Sequence, residues 1–175
     1  DNFALIESLF ATDTSSTSDT VTVTVGSYAS GTIAGNYDVL VTQDPVKGAI
    51  QGNVITNATF DAAADDFSLL GGSLDTSAGD YRFVVTVDGT ASNEITLSGN
   101  YSTVDELRAE LQSLINGDTN LKGTGASVDV SYDSATDQFL FTSRSYGDTS
   151  NVSFSGTTAD AQSLGLDDSG LTVTA

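Results

Sequence analysis

The chain has 175 residues, 24 acidic side chains against five basic ones, and a formal net charge of −19 at pH 7. That balance excludes nucleic acid as a partner and disfavours anionic membrane surfaces, because Lys47, Arg82, Arg108, Lys122 and Arg144 form no basic stripe to displace counterions. Cysteine is absent, which removes a disulfide framework, thiolate metal sites and a cysteine nucleophile, and no run approaches the roughly 18 apolar residues of a membrane span.

In chain order, Phe3, Leu5, Ile6, Leu9 and Phe10 form a short apolar stretch, followed by a run of Ser, Thr and Asp. Residues 1–19 therefore read as the end of a helical leg and a linker. The chain opens on Asp1 without a basic-then-apolar signal, so an excised or processed piece is expected. Residues 20–25 alternate Thr with Val, residues 27–36 are a small-residue loop, and residues 37–42 are again extended until Pro45 breaks the pattern. Residues 54–60 give a weaker strand. Residues 61–77 read as loop, with Asp65-Asp66 and Gly71-Gly72 marking a boundary near residue 64. Residues 20–64 are accordingly expected to be the first part of one β-rich domain, and residues 65–157 a second.

The second region holds the strongest signals. Residues 81–87 are rich in aromatic and β-branched side chains, Asp88-Gly89 turns the chain, and residues 94–97 continue as a strand. A helix is predicted over residues 103–115. Thr103 and Glu106 have capping-box spacing, and Asp105 adds negative charge near the positive end of the helix dipole. Val104, Leu107, Leu111, Leu114 and Ile115 make one apolar stripe, with Arg108, Glu110 and Gln112 assigned to the opposite face. Asn116 and Gly117 tolerate the left-handed conformation that ends many helices.

Residues 126–132 alternate again, residues 133–137 form a short loop, and residues 138–142 return. The order is ββαββ. Residues 151–155 add a last strand, Thr158 is expected to cap a helical turn through Ala161 and Leu164 closed by Gly165, and residues 171–174 begin another strand. Residues 158–175 thus form a return segment towards the first domain. The predicted fold class is α+β, mostly β, with antiparallel strands, one amphipathic helix and a smaller β subdomain.

No residue stands out as catalytic, cofactor-binding or metal-ligating. Without His or Cys, hydrolysis needs a Ser/Lys pair or two carboxylates, and a chain this rich in Asp offers carboxylates without singling any out. Residues 133–137 and Asp167-Asp168 lack the spacing and glycine of an EF-hand loop, so they read as a hairpin loop and as solvated surface. The glycosylation patterns at Asn57, Asn100 and Asn151 are chance matches in a Ser/Thr-rich chain, and the six tyrosines read as half-buried strand or loop residues. No enzyme is expected.

Two separated stretches carry a resemblance. The first runs from Ser15-Ser16-Thr17-Ser18-Asp19 through Val21, Val23 and Val25 to Ala34-Gly35-Asn36-Tyr37-Asp38-Val39-Leu40-Val41-Thr42-Gln43. The second runs from Tyr81 through Asp88-Gly89, the Ser102/Thr103-led helix with Leu107, Leu111 and Ile115-Asn116, then Ala126-Ser127-Val128, Phe139-Leu140-Phe141-Thr142-Ser143 and Ser145-Tyr146-Gly147, to Leu164-Gly165-Leu166. In this order they resemble the head of the bacterial flagellar filament cap proteins, also called hook-associated protein 2, and the second matches an insert motif shared with flagellins.

The resemblance implies a structural and assembly role without chemistry or cofactor. Implied partners are further copies of the chain in a ring, flagellin and the hook-filament junction proteins, in an extracellular location reached through the flagellar export channel. Adhesion by an exposed head is compatible with it. Asp44-Pro45 departs from the cap pattern, so a flagellin or other axial protein with the same insert remains the alternative, as does an unrelated acidic surface adhesin.

Overall fold

The structure, a computed structural model, describes residues 45–167. The helical leg and linker expected over 1–19, the strands over 20–25 and 37–42, and the strand over 171–174 lie outside the described residues.

The helix α1, Val104–Gly117, forms where its sequence signals coincide. The Glu106 amide donates to Thr103 Oγ1 at 3.2 Å, while Glu106 Oε2 accepts from the Thr103 amide at 3.2 Å and from the Ser102 amide at 2.7 Å. The start is thus a complete capping box, and Val104, Leu107, Leu111 and Ile115 are buried beneath it. Its end differs from the expectation. Asn116 and Gly117 stay helical, and Asp118, at φ −59° and ψ 138°, turns the chain directly into a second helix α2, Thr119–Thr124. Asp118 caps α2 by accepting from the Asn120 and Leu121 amides at 2.9 and 3.1 Å. The left-handed stop is Gly125, at φ 79°.

Three strands make the first sheet: β1, Ala49–Val54, β7, Val128–Asp133, and β8, Gln138–Ser143, in the antiparallel order β1-β8-β7. The second centres on β3, Arg82–Val87, which pairs on one side with β9, Val152–Ser155, and on the other with the short strands β4, Thr90–Ala91, and β5, Ile95–Thr96. Asp88 and Gly89 both take positive φ, 52° and 78°, as a two-residue turn of a β-hairpin requires. A small pair, β2, Leu74–Asp75, with β6, Asn100–Tyr101, leads into α1. The fold class is as predicted: mostly β, antiparallel, with few helices.

Rings join the two sheets through the core. Tyr132 meets Phe139 at 5.5 Å between centroids, Phe139 meets Phe141 at 6.3 Å, Phe141 meets Phe154 edge-on at 4.9 Å, and Phe154 meets Phe83 at 5.8 Å. Such tilted and edge-on pairs add about 0.5–1.5 kcal/mol each beyond the area they bury.

Three expectations need correction. The strand placed at residues 54–60 lies instead at Ala49–Val54, where Ile50 and Gly52 are buried. Because β1 pairs with β8, Ile50 opposite Phe141 and Gln51 opposite Leu140, residues 49–54 share a sheet with the ββαββ region, and the boundary expected near residue 64 falls inside one compact unit. Thr158 holds the N-cap position of the short helix α3, Ala159–Ser163, but its side chain makes no cap hydrogen bond. Its hydroxyl accepts from the Arg82 amide at 3.0 Å and donates to the Asp80 carbonyl, tying the return segment to β3.

Candidate functional site

The most organised polar feature is the seam between α1 and β7. As an edge strand, β7 turns the N–H and C=O groups of alternate residues away from β8, and such groups invite pairing with another chain unless they are covered. Here α1 covers them with side chains. Asn116 donates Nδ2 to the Val128 carbonyl and accepts the Val128 amide at Oδ1, both at 2.8 Å. Gln112 Oε1 accepts the Val130 amide at 2.8 Å, and Arg108 Nη1 donates to the Val130 carbonyl at 3.3 Å.

The spacing explains the fit. Four helical residues advance about 6 Å, close to the roughly 7 Å between Val128 and Val130, so side chains at positions 108, 112 and 116 stay level with one row of the strand. Sequence reasoning assigned Arg108 and Gln112 to the solvent face and Asn116 to the helix stop; all three belong to the seam. Glu110 stays off it and is half-buried.

At the far end of the seam, the Tyr132 hydroxyl lies 3.0 Å from both Asp65 Oδ1 and Asp137 Oδ1. One phenol proton serves only one of these at a time. Burial first, and then the two carboxylates, hold the Tyr132 pKa well above the ordinary tyrosine value. Two open clefts flank α1: one of about 440 Å³ beside Asp65, Arg108 and Tyr132, and one of about 390 Å³ beside Gln112, Asn116 and Lys122.

Several of the described acidic residues have local structural roles. Residues 133–137 form the expected hairpin loop, in which Asp133 Oδ1 accepts the Ala135 amide at 2.9 Å and Asp137 takes φ 55°. Among the described residues, no group of three or more His, Cys, Asp or Glu side chains converges as a metal site, and no helix is long and apolar enough to cross a membrane. Asp168 lies outside the described residues. Of the basic residues, Arg82 pairs with Asp80 and Glu94, Arg108 with Asp105, and Arg144 with Asp129. The tyrosines are less uniform than expected: Tyr81 and Tyr101 are buried, Tyr132 is half-buried, and Tyr146 is exposed with Lys47 Nζ 5.0 Å from its ring centroid.

No protein-family pattern, curated protein or solved structure matches the chain. What the fold and the seam define is a class: an acidic, antiparallel α+β domain whose first sheet has both edges covered, β7 by α1 and β1 by the return segment.

Proposed function

We propose that the chain is a structural and assembly module of the bacterial flagellum, part of the head of a filament cap protein. It carries no chemistry and needs no cofactor. It acts extracellularly at the filament tip, after export through the flagellar channel, with further copies of itself, flagellin and the hook-filament junction proteins as partners.

The observation that carries this reading is the order of matched motifs: the Val/Thr strand and Val41-Thr42-Gln43, then Asp88-Gly89, the Thr103-capped helix and Phe139-Leu140-Phe141-Thr142. The helix, its seam strand and the two hairpins lie together in one unit, which supports reading the second stretch as a single motif. Covered edges also suit the role. A cap head works among many β-rich copies, where an open edge strand would seed pairing between chains.

The test is genetic. Deleting the full gene should leave flagellin in the medium and no filaments, and restoring it should restore filaments. Normal filaments without the gene would overturn the reading. One observation supports a second reading: Asp44-Pro45 departs from the cap pattern, which leaves a flagellin or other axial protein carrying the same insert as the alternative.

A further inference from the structure

Nothing in the described structure requires a glycine at Gly117. It lies in the last turn of α1, is not among the glycines that take positive φ, and a Cβ placed on it would meet no described atom within 4 Å. The left-handed stop that needs a glycine is Gly125 instead. Inside a helix glycine is a weaker choice than alanine. What Gly117 does change is the chemistry of the residue before it. Of the nine asparagines, Asn116 alone is followed by glycine. With no side chain to shield it, the Gly117 amide nitrogen can reach the Asn116 side-chain carbonyl, and this makes Asn-Gly the most labile asparagine pair in a chain.

In the folded chain both reacting groups are held. Asn116 is half-buried, with Nδ2 on the Val128 carbonyl and Oδ1 on the Val128 amide, both at 2.8 Å, and Gly117 belongs to the helix. Ring closure requires the Asn116 side chain to leave the strand and swing back onto its own backbone, so the seam must open first. The solvent side is ready for the reaction. Gly117 is exposed, and the open cleft of about 390 Å³ beside Gln112, Asn116 and Lys122 admits water and releases ammonia.

We propose that Asn116 is a site of spontaneous deamidation, gated by the seam, that turns the covered β7 edge into an open one. The Gly117 nitrogen bonds to Asn116 Cγ, the Cγ–Nδ2 bond breaks, and Nδ2 leaves as ammonia with the proton of the Gly117 amide. Water then opens the five-membered imide, its hydroxyl joining one carbonyl carbon and its proton going to the ring nitrogen. Attack at Cγ leaves aspartate. Attack at the Asn116 main-chain carbonyl leaves isoaspartate, with the backbone rerouted through the side chain. Neither carboxylate product can donate to the Val128 carbonyl as the amide did, and each carries a new negative charge. The change is irreversible, so an opened seam is at risk of losing for good the cover that keeps β7 from pairing with other chains. The switch belongs to the chain itself and does not rest on the flagellar reading.

The test follows deamidation at Asn116 by peptide mass mapping of the chain held in mildly alkaline buffer, folded and in urea. The folded wild type should deamidate at least about tenfold more slowly than the unfolded one, since only its opened fraction reacts. Gln112→Ala, which loosens the same seam, should raise the folded rate severalfold and leave the unfolded rate alone. Gly117→Ala should slow the unfolded rate severalfold and leave the fold intact. In Asn116→Asp, which mimics one product, hydrogen exchange should speed up at the Val128 amide and stay unchanged at the Leu97 amide, which donates to the Tyr81 carbonyl beside the second sheet. Equal folded and unfolded rates in the wild type, a folded rate unmoved by Gln112→Ala, or an unfolded rate unmoved by Gly117→Ala would overturn the proposal. So would a Val128 amide in Asn116→Asp that exchanges as in the wild type, or exchange that rises equally at Leu97, which would make the damage global.

Discussion

The two edges of the first sheet are closed by opposite means. At β7, side chains do it: Arg108, Gln112 and Asn116 reach across from α1 to the backbone groups of Val128 and Val130. At β1, backbone does it: the Asn53 amide donates to the Gly165 carbonyl at 3.1 Å and the Thr56 amide to the Ser163 carbonyl at 2.8 Å. Backbone can approach this closely only where side chains are missing. A Cβ on Gly52 would collide with the Gly165 carbonyl oxygen, and one on Gly165 with that of Asn53. The β7 edge should therefore fail gradually, one hydrogen bond at a time, and the β1 edge abruptly.

The largest expected effect lies beneath the side-chain edge. Leu111 is fully buried under α1, so Leu111→Ala should cost about 2–5 kcal/mol in denaturant melts. A loss below about 0.5 kcal/mol would mean that the helix does not rest on this stripe. Next comes Gly165→Ala, which adds a clash with Asn53 to a left-handed φ of 79° and should cost about 3 kcal/mol. If it melts like the wild type, the return segment does not hold the β1 edge.

Gln112→Ala should cost less, about 1–3 kcal/mol, by leaving the Val130 amide without its acceptor, and hydrogen exchange at that amide should speed up. Gln112→Glu keeps an acceptor and should protect the amide better than alanine does. Equal exchange in all three proteins would remove the seam from the account.

The smallest effect is pH-dependent. Burial pushes the Asp118 carboxyl up, but hydrogen bonds from Asn93, Leu121 and Asn120 outweigh it and leave the pKa below the ordinary value. The stability this group contributes is present above its unfolded pKa of about 3.9 and disappears as pH falls through the lower folded value. Asn is also a good helix cap, so Asp118→Asn should be slightly less stable than the wild type at pH 6, and the gap should close towards pH 3. A gap independent of pH would show that the charge is not what matters.

What the sequence revealed follows the same division. The start of α1 was legible because the cap, the acidic first turn and the leucine stripe are independent local signals that agree. The hairpin at Asp88-Gly89 was legible because only a few residue types accept that turn. The seam was not, because helical periodicity separates the apolar stripe from the rest without distinguishing its flank from its back. Arg108, Gln112 and Asn116, spaced by four beside the stripe and ahead of an edge strand, are the signal that would have revealed it. The β1 strand was hidden because Gly52, which weakens a local strand signal, is what the long-range approach of Gly165 demands. Nothing near residue 52 announces a partner near residue 165.

Assembly is the central claim, and light scattering on the product of the full gene tests it most directly. The account predicts a closed ring of several subunits, since an open head-to-tail contact would grow without limit. A full-length protein that stays monomeric at high concentration, or that polymerises into long filaments, would contradict the cap assignment; long filaments would favour the flagellin reading.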